Sequence, residues 1–279
     1  MRKIFAGIAM IAIILLMATS AYAWPLFPEK APATAEVPII MYHLVTNNPK
    51  YIGKWGITPE ELEADLRYLK ENGYTTVVMD DLVRFVEKNR PLPNKPIVLT
   101  FDDGCFSDHR YLFPMLKEFK MKAVLSILGA ETNEYTGNDS LKKPHLGGEQ
   151  VTELSKSGLV EFQNHSFSLH GKAGSGRLKG ESAEKYQGRL KADLAKNQAL
   201  IKELTGKAPT TFTYPLGIIS KGSEDVLKEL GIKASLSCYC GMNKLTQGDS
   251  EGLFLLKRCN RVAGDSVESI LKRLDATGN

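Results

Sequence analysis

Thr100-Phe101-Asp102-Asp103-Gly104 sets two carboxylates side by side ahead of a glycine that permits a tight turn. Adjacent carboxylates at the end of a strand must point in different directions, so one can bind a cation while the other stays free as a base. Sixty residues on, Asn164-His165-Ser166-Phe167-Ser168-Leu169-His170 offers two imidazoles five positions apart. With Asp103 they would form a two-His, one-carboxylate set, which leaves a metal position open for water, the catalytic arrangement for zinc. Taken singly, the first pattern also fits a solvated acidic turn and the second two unrelated surface histidines. Cobalt, nickel and manganese suit the same donors, and zinc is the expected ion.

The elements around these residues give them a common address. Strand-like runs occur at 37–42, 75–79, 96–101, 123–128, 159–163, 211–214, 234–237 and 253–256. Helical patterns alternate with them near 80–88, 109–119, 148–157, 183–204, 223–230 and 266–274. A further helix opens at Thr58, with Pro59 in its first turn, Glu61 completing a capping box and Leu62, Leu66 and Leu69 as its apolar stripe. Continuous rather than alternating apolar strands, separated by helices, predict an α/β protein with a parallel sheet covered on both faces. No G-x-G-x-x-G follows the first strand, which favours a distorted (β/α) barrel, a single catalytic domain, over an open doubly wound sheet. His43, Asp102, Asp103, His165 and Tyr214 then all fall at carboxyl ends of strands, the face on which such barrels build their sites.

The chain has 279 residues, with 43% hydrophobic and 24% charged, so a disordered chain and a multi-pass membrane protein are excluded. Residues 1–23 read as a secretory signal peptide: Arg2 and Lys3, an apolar stretch from Ile4 to Met17, and Ala21-Tyr22-Ala23 as the cleavage site. The expected location is therefore outside the cell, in the periplasm or at the cell envelope. Its removal turns 36 basic against 32 acidic residues into 34 against 32, which gives no electrostatic case for nucleic acid. Residues 24–36, with three prolines, read as a linker ahead of a domain at 37–279. Cys105, Cys238, Cys240 and Cys259 allow two disulfides in an oxidising compartment. Three pairings are open; Cys238-x-Cys240 lacks the usual metal-site spacing, and a bridge from Cys259 to one of that pair is favoured.

T-F-D-D-G, E-F-Q-N-H-S-x-x-L-H and F-T-Y-P-L-G occur in order, each on the expected element. The chain resembles the polysaccharide deacetylase family, carbohydrate esterases with a NodB-like domain, from about Val37 to Leu274. The family's usual second motif is H-[ST]-x-x-H, and the interval here is one residue longer. The resemblance implies metal-dependent removal of an N-acetyl group from an acetylated amino-sugar polysaccharide. By that analogy Asp103, His165 and His170 hold one divalent metal, Asp102 is the general base, and the backbone N–H of Leu216 in Tyr214-Pro215-Leu216-Gly217 serves the oxyanion. Many members carry an Arg in the third motif to orient the base, where Thr213 stands; Arg258 is the candidate substitute, and Tyr214 and Arg258 join Leu216 as oxyanion and substrate candidates. No His follows His170, so the family's late L-x-H acid is missing. Met41-Tyr42-His43 resembles the start of the exported branch, which makes His43 the candidate acid; His109 and His145 lack a partner motif. A catalytically silent glycan-binding protein on the same fold would be indifferent to chelation. A glycosidase would leave the histidines unexplained, and adjacent carboxylates are poorly arranged to flank a sugar.

Overall fold

The computed structural model describes residues 33–140 and 142–277, and residues 34 onward form one compact unit. The signal peptide and most of the linker expected at 24–36 lie outside the described residues. Twelve strands appear within them: β1 Thr34–Val37, β2 Ile39–Tyr42, β3 Leu44–Val45, β4 Gly56–Ile57, β5 Thr75–Thr76, β6 Pro96–Asp103, β7 Ala123–Ile127, β8 Val160–Asn164, β9 Thr211–Thr213, β10 Ala234–Leu236, β11 Asn243–Thr246 and β12 Cys259–Asn260. The helices are α1 Pro59–Glu71, α2 Met79–Lys88, α3 Phe113–Phe119, α4 Gly129–Tyr135, α5 Gly148–Lys156, α6 Ala183–Thr205, α7 Ser223–Glu229 and α8 Val267–Thr277.

One curled, all-parallel sheet runs in the order β10-β9-β8-β7-β6-β2-β12, with β5 beside the start of β6. β2 and β7 are buried along their whole length, as expected for strands covered on both faces. Alternate residues separate two cores: Ile40, Leu99 and Leu125 pack under the helices, and Ile39, Val98 and Val124 face the other way. The gap between the end strands is bridged where Ser237 N donates to the Leu256 carbonyl and Leu256 N to that of Ser235. A disulfide from Cys240 to Cys259 crosses the same gap. The result is a distorted (β/α) barrel.

Local rules explain most boundaries. Thr58 caps α1 through the Glu61 N–H, and Glu61 returns the bond to the Thr58 N–H. Leu62, Leu66 and Leu69 are fully buried on one face. Two expectations fail. Residues 253–256 are not a strand: Ser250–Leu253 is a short 3₁₀ turn capped by Asp249, and only Leu256 makes a bridge. Thr34–Glu36, expected in the linker, pair with β11 as an antiparallel strand. Their alternating polar character reflects a two-stranded ribbon with one solvated face, which composition alone reads as linker.

The disulfide closes a loop of 19 residues at the barrel seam. Replacing Cys240 and Cys259 by Ser together, in a Cys238→Ser background that prevents re-pairing, is expected to lower unfolding free energy by about 2–4 kcal/mol. A lower urea midpoint is the expected readout, with a steeper denaturant slope because the unbridged unfolded chain exposes more surface; an unchanged midpoint would remove the bridge from any account of stability.

Candidate active site

β6 delivers Thr100 and Asp102 to the inside of the barrel, because positions two apart on a strand share a face. Arg258, fully buried, meets both. Its Nη1 donates to Asp102 Oδ1 at 2.8 Å and to Thr100 Oγ1 at 3.2 Å, its Nη2 to Asp102 Oδ2 at 2.9 Å, and its Nε to the Ser237 carbonyl at 2.8 Å. Burial by itself pushes the Asp102 carboxyl up, but the guanidinium, with His165 and His43, holds it below the usual range. The carboxylate therefore stays ionised although nearly all of it is buried.

Asp103 turns away from its neighbour through a left-handed backbone, φ 71°. Gly104 continues the turn, and a Cβ there would meet Ile127 Cγ2 at 2.8 Å. Asp103 Oδ1 then lies 3.3 Å from His165 Nε2 and 3.2 Å from His170 Nε2. One donor atom from each of the three residues falls within 4.8 Å of the others. The set fits a divalent cation on two counts. His165 Nδ1 donates to the Thr213 carbonyl at 2.9 Å, which fixes the tautomer and leaves a lone pair on Nε2. Asp103 Oδ1 is buried without a hydrogen-bond partner, although two imidazole nitrogens face it.

The longer interval between the histidines is absorbed by α6, whose contribution the sequence reading missed. Asp193 accepts from Phe167 N at 2.7 Å and Ser168 N at 2.9 Å. Asn197 Nδ2 reaches the Ile127 carbonyl, Asn164 Oδ1 and the Ser166 carbonyl, all within 2.8–2.9 Å. Asn197 is fully buried in line with Tyr186, Leu190, Leu194 and Ile201. A polar residue inside an apolar stripe was the available signal.

His43 stands between the aromatic rim and Asp102. Its Nε2 is 3.9 Å from Asp102 Oδ2, and its ring packs on Trp55 with centroids 4.6 Å apart. Burial lowers its pKa, against the pull of Asp102. Leu216, φ 57° and half exposed, sits in a turn whose Gly217 and Ile218 N–H groups bind the Tyr214 and Pro215 carbonyls. His43, Trp55, Asp102, Asp103 and Leu216 line a cleft of about 1030 Å³ together with His165, His170 and Cys238. Two expected substrate residues are not in it. Tyr214 is buried in the core with its hydroxyl 2.9 Å from Ser223 Oγ, and Arg258 lies beneath Asp102. Each is too buried to touch a ligand. Of the other histidines, His109 pairs with Glu153 away from the cleft, whereas His145 lines it and contacts the Asp103 carbonyl at 3.1 Å.

Residues 89–235 match the family described as polysaccharide deacetylase, which is more than half of the chain. The chain belongs to the polysaccharide deacetylase family. As such it is classed with the polysaccharide N-deacetylases, which are hydrolases. A poly-beta-1,6-N-acetyl-D-glucosamine N-deacetylase of Escherichia coli is 27% identical over 213 residues, 68% of this chain but 32% of the relative, so the chain spans about a third of that protein. The Staphylococcus aureus protein of the same name is 22% identical over 231 residues, 82% of this chain and 75% of the relative. The fold is shared with a de-N-acetylase from Aggregatibacter actinomycetemcomitans, with TM-score 0.72 and 22% identity over 85% of this chain and 99% of that one. It is also shared with the Streptococcus pyogenes deacetylase PplD, with TM-score 0.70 and 18% identity over 87% and 99%.

Arg258→Met strands a buried carboxylate, which is expected to cost about 3–5 kcal/mol of stability. Adding Asp102→Asn to it should recover more than half of that loss in urea denaturation. If the double variant is no more stable than the single one, the cost lies in packing around Arg258 rather than in the unpaired charge.

Proposed function

We propose that this chain is an exported, metal-dependent deacetylase that removes N-acetyl groups from an acetylated amino-sugar polysaccharide, with poly-beta-1,6-N-acetylglucosamine as the first substrate to test. The observation that carries the reading is the juxtaposition at one strand end of an Arg-held carboxylate and a His₂Asp donor set, Asp102 beside Asp103. The substrate class rests on the names of the E. coli and S. aureus relatives, and exposed Tyr51 and Trp55 at the cleft offer aromatic faces for sugar rings. Export rests on the leader-like residues 1–23. Among the described residues no helix is long and apolar enough to cross a membrane.

Asp103, His165 and His170 would hold the ion, for which zinc is proposed. Bound there, a divalent cation supplies a polarised amide carbonyl and a water with its pKa brought toward about 7. In this reading Asp102 is the general base and takes the proton of the attacking water. The Leu216 N–H donates to the oxygen that becomes negative as the carbonyl carbon turns tetrahedral. His43 donates a proton to the sugar nitrogen as the carbon–nitrogen bond breaks, because an amine cannot leave as an anion at neutral pH. Arg258 touches no substrate; it orients Asp102 and keeps it ionised.

Acetate release from acetylated glucosamine polymers should vanish with chelator and return with added metal. Asp103→Ala or His165→Ala should lose metal and turnover together, and metal stoichiometry near one after either change would sink the ligand assignment. Asp102→Asn should keep the metal and lose roughly 10²- to 10⁴-fold in turnover.

His43→Ala should retain fold and metal, and its loss should be smaller on an activated ester, whose leaving group needs little protonation. Equal losses on amide and ester would rule out the acid role and leave His43 a positional one.

A further inference from the structure

The near-neutral charge of the chain conceals a segregated one. Because the sheet is parallel, the chemistry occupies its carboxyl ends, and the opposite edge presents the strand starts and the last turns of α1, α2 and α3. A groove of about 830 Å³ lies there, and six basic side chains line it against one acidic one, Asp81. Arg84 is neutralised by Asp80 and Asp81. Lys70, Lys88, Arg90, Lys120 and Lys122 have no ion-pair partner among the described residues; the nearby Glu87 is taken by Lys233. Lys70 lies 5.4 Å from the Phe119 ring centroid, which supplies no counter-charge.

Basic residues at helix ends have an ordinary role, which is to face the negative end of the macrodipole. Each of three helix ends contributes roughly half a negative charge, together about one and a half. Five unpaired cations exceed that several-fold. A second hollow of about 580 Å³ shares Asp81, Arg84 and Lys122 with the groove, but there Lys156 and Lys207 are offset by Asp80 and Glu161, so the excess of positive charge belongs to the first groove. A walled groove with five unpaired cations spread along it suits a chain with charges at intervals, whereas a flat anionic bilayer could not enter it. Tyr74, half-buried on the wall, gives such a chain an apolar surface to lie on.

We propose that this groove binds a linear phosphate-bearing polymer, a phosphodiester-linked polyol or glycan chain, on the face of the barrel opposite the catalytic cleft. Lysine ammonium groups act there as point charges, and the Arg90 fork matches phosphate geometry. The inference is independent of the deacetylase reading, because binding is measured without turnover and away from every residue of the cleft.

The test is fluorescence anisotropy of labelled poly(glycerol phosphate) with the full chain, at low ionic strength and at about 150 mM salt, where exposed charges are screened beyond roughly 8 Å. Binding that weakens with salt is expected, and the triple variant Lys88→Gln/Arg90→Gln/Lys122→Gln should weaken it by at least about tenfold, a modest effect for each of three charges. Lys70→Gln/Lys120→Gln, which alters the α1 and α3 side, should weaken it independently and decides the matter if the triple variant melts early. Undiminished binding by both variants, or none by the unaltered chain, overturns the proposal. Competition by inorganic phosphate at equal phosphate concentration would mean a single-anion site. Recruitment to phosphatidylglycerol vesicles without polymer binding would assign the face to a membrane. Either result rejects the chain polymer.

Discussion

A guanidinium that does not see water holds the site together. Isolating either Arg258 or Asp102 in the barrel would cost several kcal/mol per ion, and their mutual fork compensates only because the remaining donors are also placed. Thr100 Oγ1 and the Ser237 carbonyl complete that placement, so the pair is bound to β6 on one side and to the end of β10 on the other. Arg258 itself follows Lys257, whose N–H is held by Asn243 on β11, and precedes β12. The ion pair and the disulfide therefore act on the same seam of the barrel from two sides: one cross-links backbone, the other fixes a charge.

From that constraint the division between the two adjacent carboxylates follows. Both are pulled below their ordinary pKa, but by different partners: Asp102 chiefly by a permanent cation, Asp103 by two imidazoles. A permanent cation cannot give up its proton, so Asp102 keeps one orientation and rests ionised. Imidazoles can offer lone pairs instead, so Asp103 stands with them where a divalent cation would be held. The positive φ at Asp103 is what lets one dipeptide serve both environments, and strain of this kind persists only where surrounding contacts over-determine it. The His145 ring on the Asp103 carbonyl and the pairing of Asp103 with Ile127 on β7 are such contacts.

Much of this was legible in the residues. Continuous apolar strands, the Thr58 capping box and reactive side chains at strand ends all depend on short-range rules, and the parallel sheet follows from them. Arg258 could be suspected because it follows the apolar run at 253–256, although that run contributes a bridge rather than a strand. What was not legible depends on distant packing. Tyr214 reads as a site residue by its place in F-T-Y-P-L-G, yet alternation turns its side chain to the core beside Phe212, with ring centroids 4.9 Å apart. Thr34–Glu36 become a strand only because β11, some two hundred residues later, offers an edge. Leu253–Leu256 is apolar enough for a strand but contributes a single bridge, since Leu253 is buried within a 3₁₀ turn.

The spacing of the second motif shows how a candidate ligand set can stay together despite a change in count. A loop between two ligands is constrained by where its ends must be, not by how many residues it contains, and lengthening it by one costs little if its amides find acceptors. Asp193 takes two of those amides and the Ser168 hydroxyl, Ser166 Oγ takes the Leu169 N–H, and Asn197 ties the loop to β7 and β8. With every turn of the loop so held, His170 still arrives at 3.2 Å from Asp103. The long helix α6 is thus part of the site although none of its side chains lines the cleft. Its buried Asn and its Asp, four positions apart on one face, do for the second motif what Arg258 does for the first.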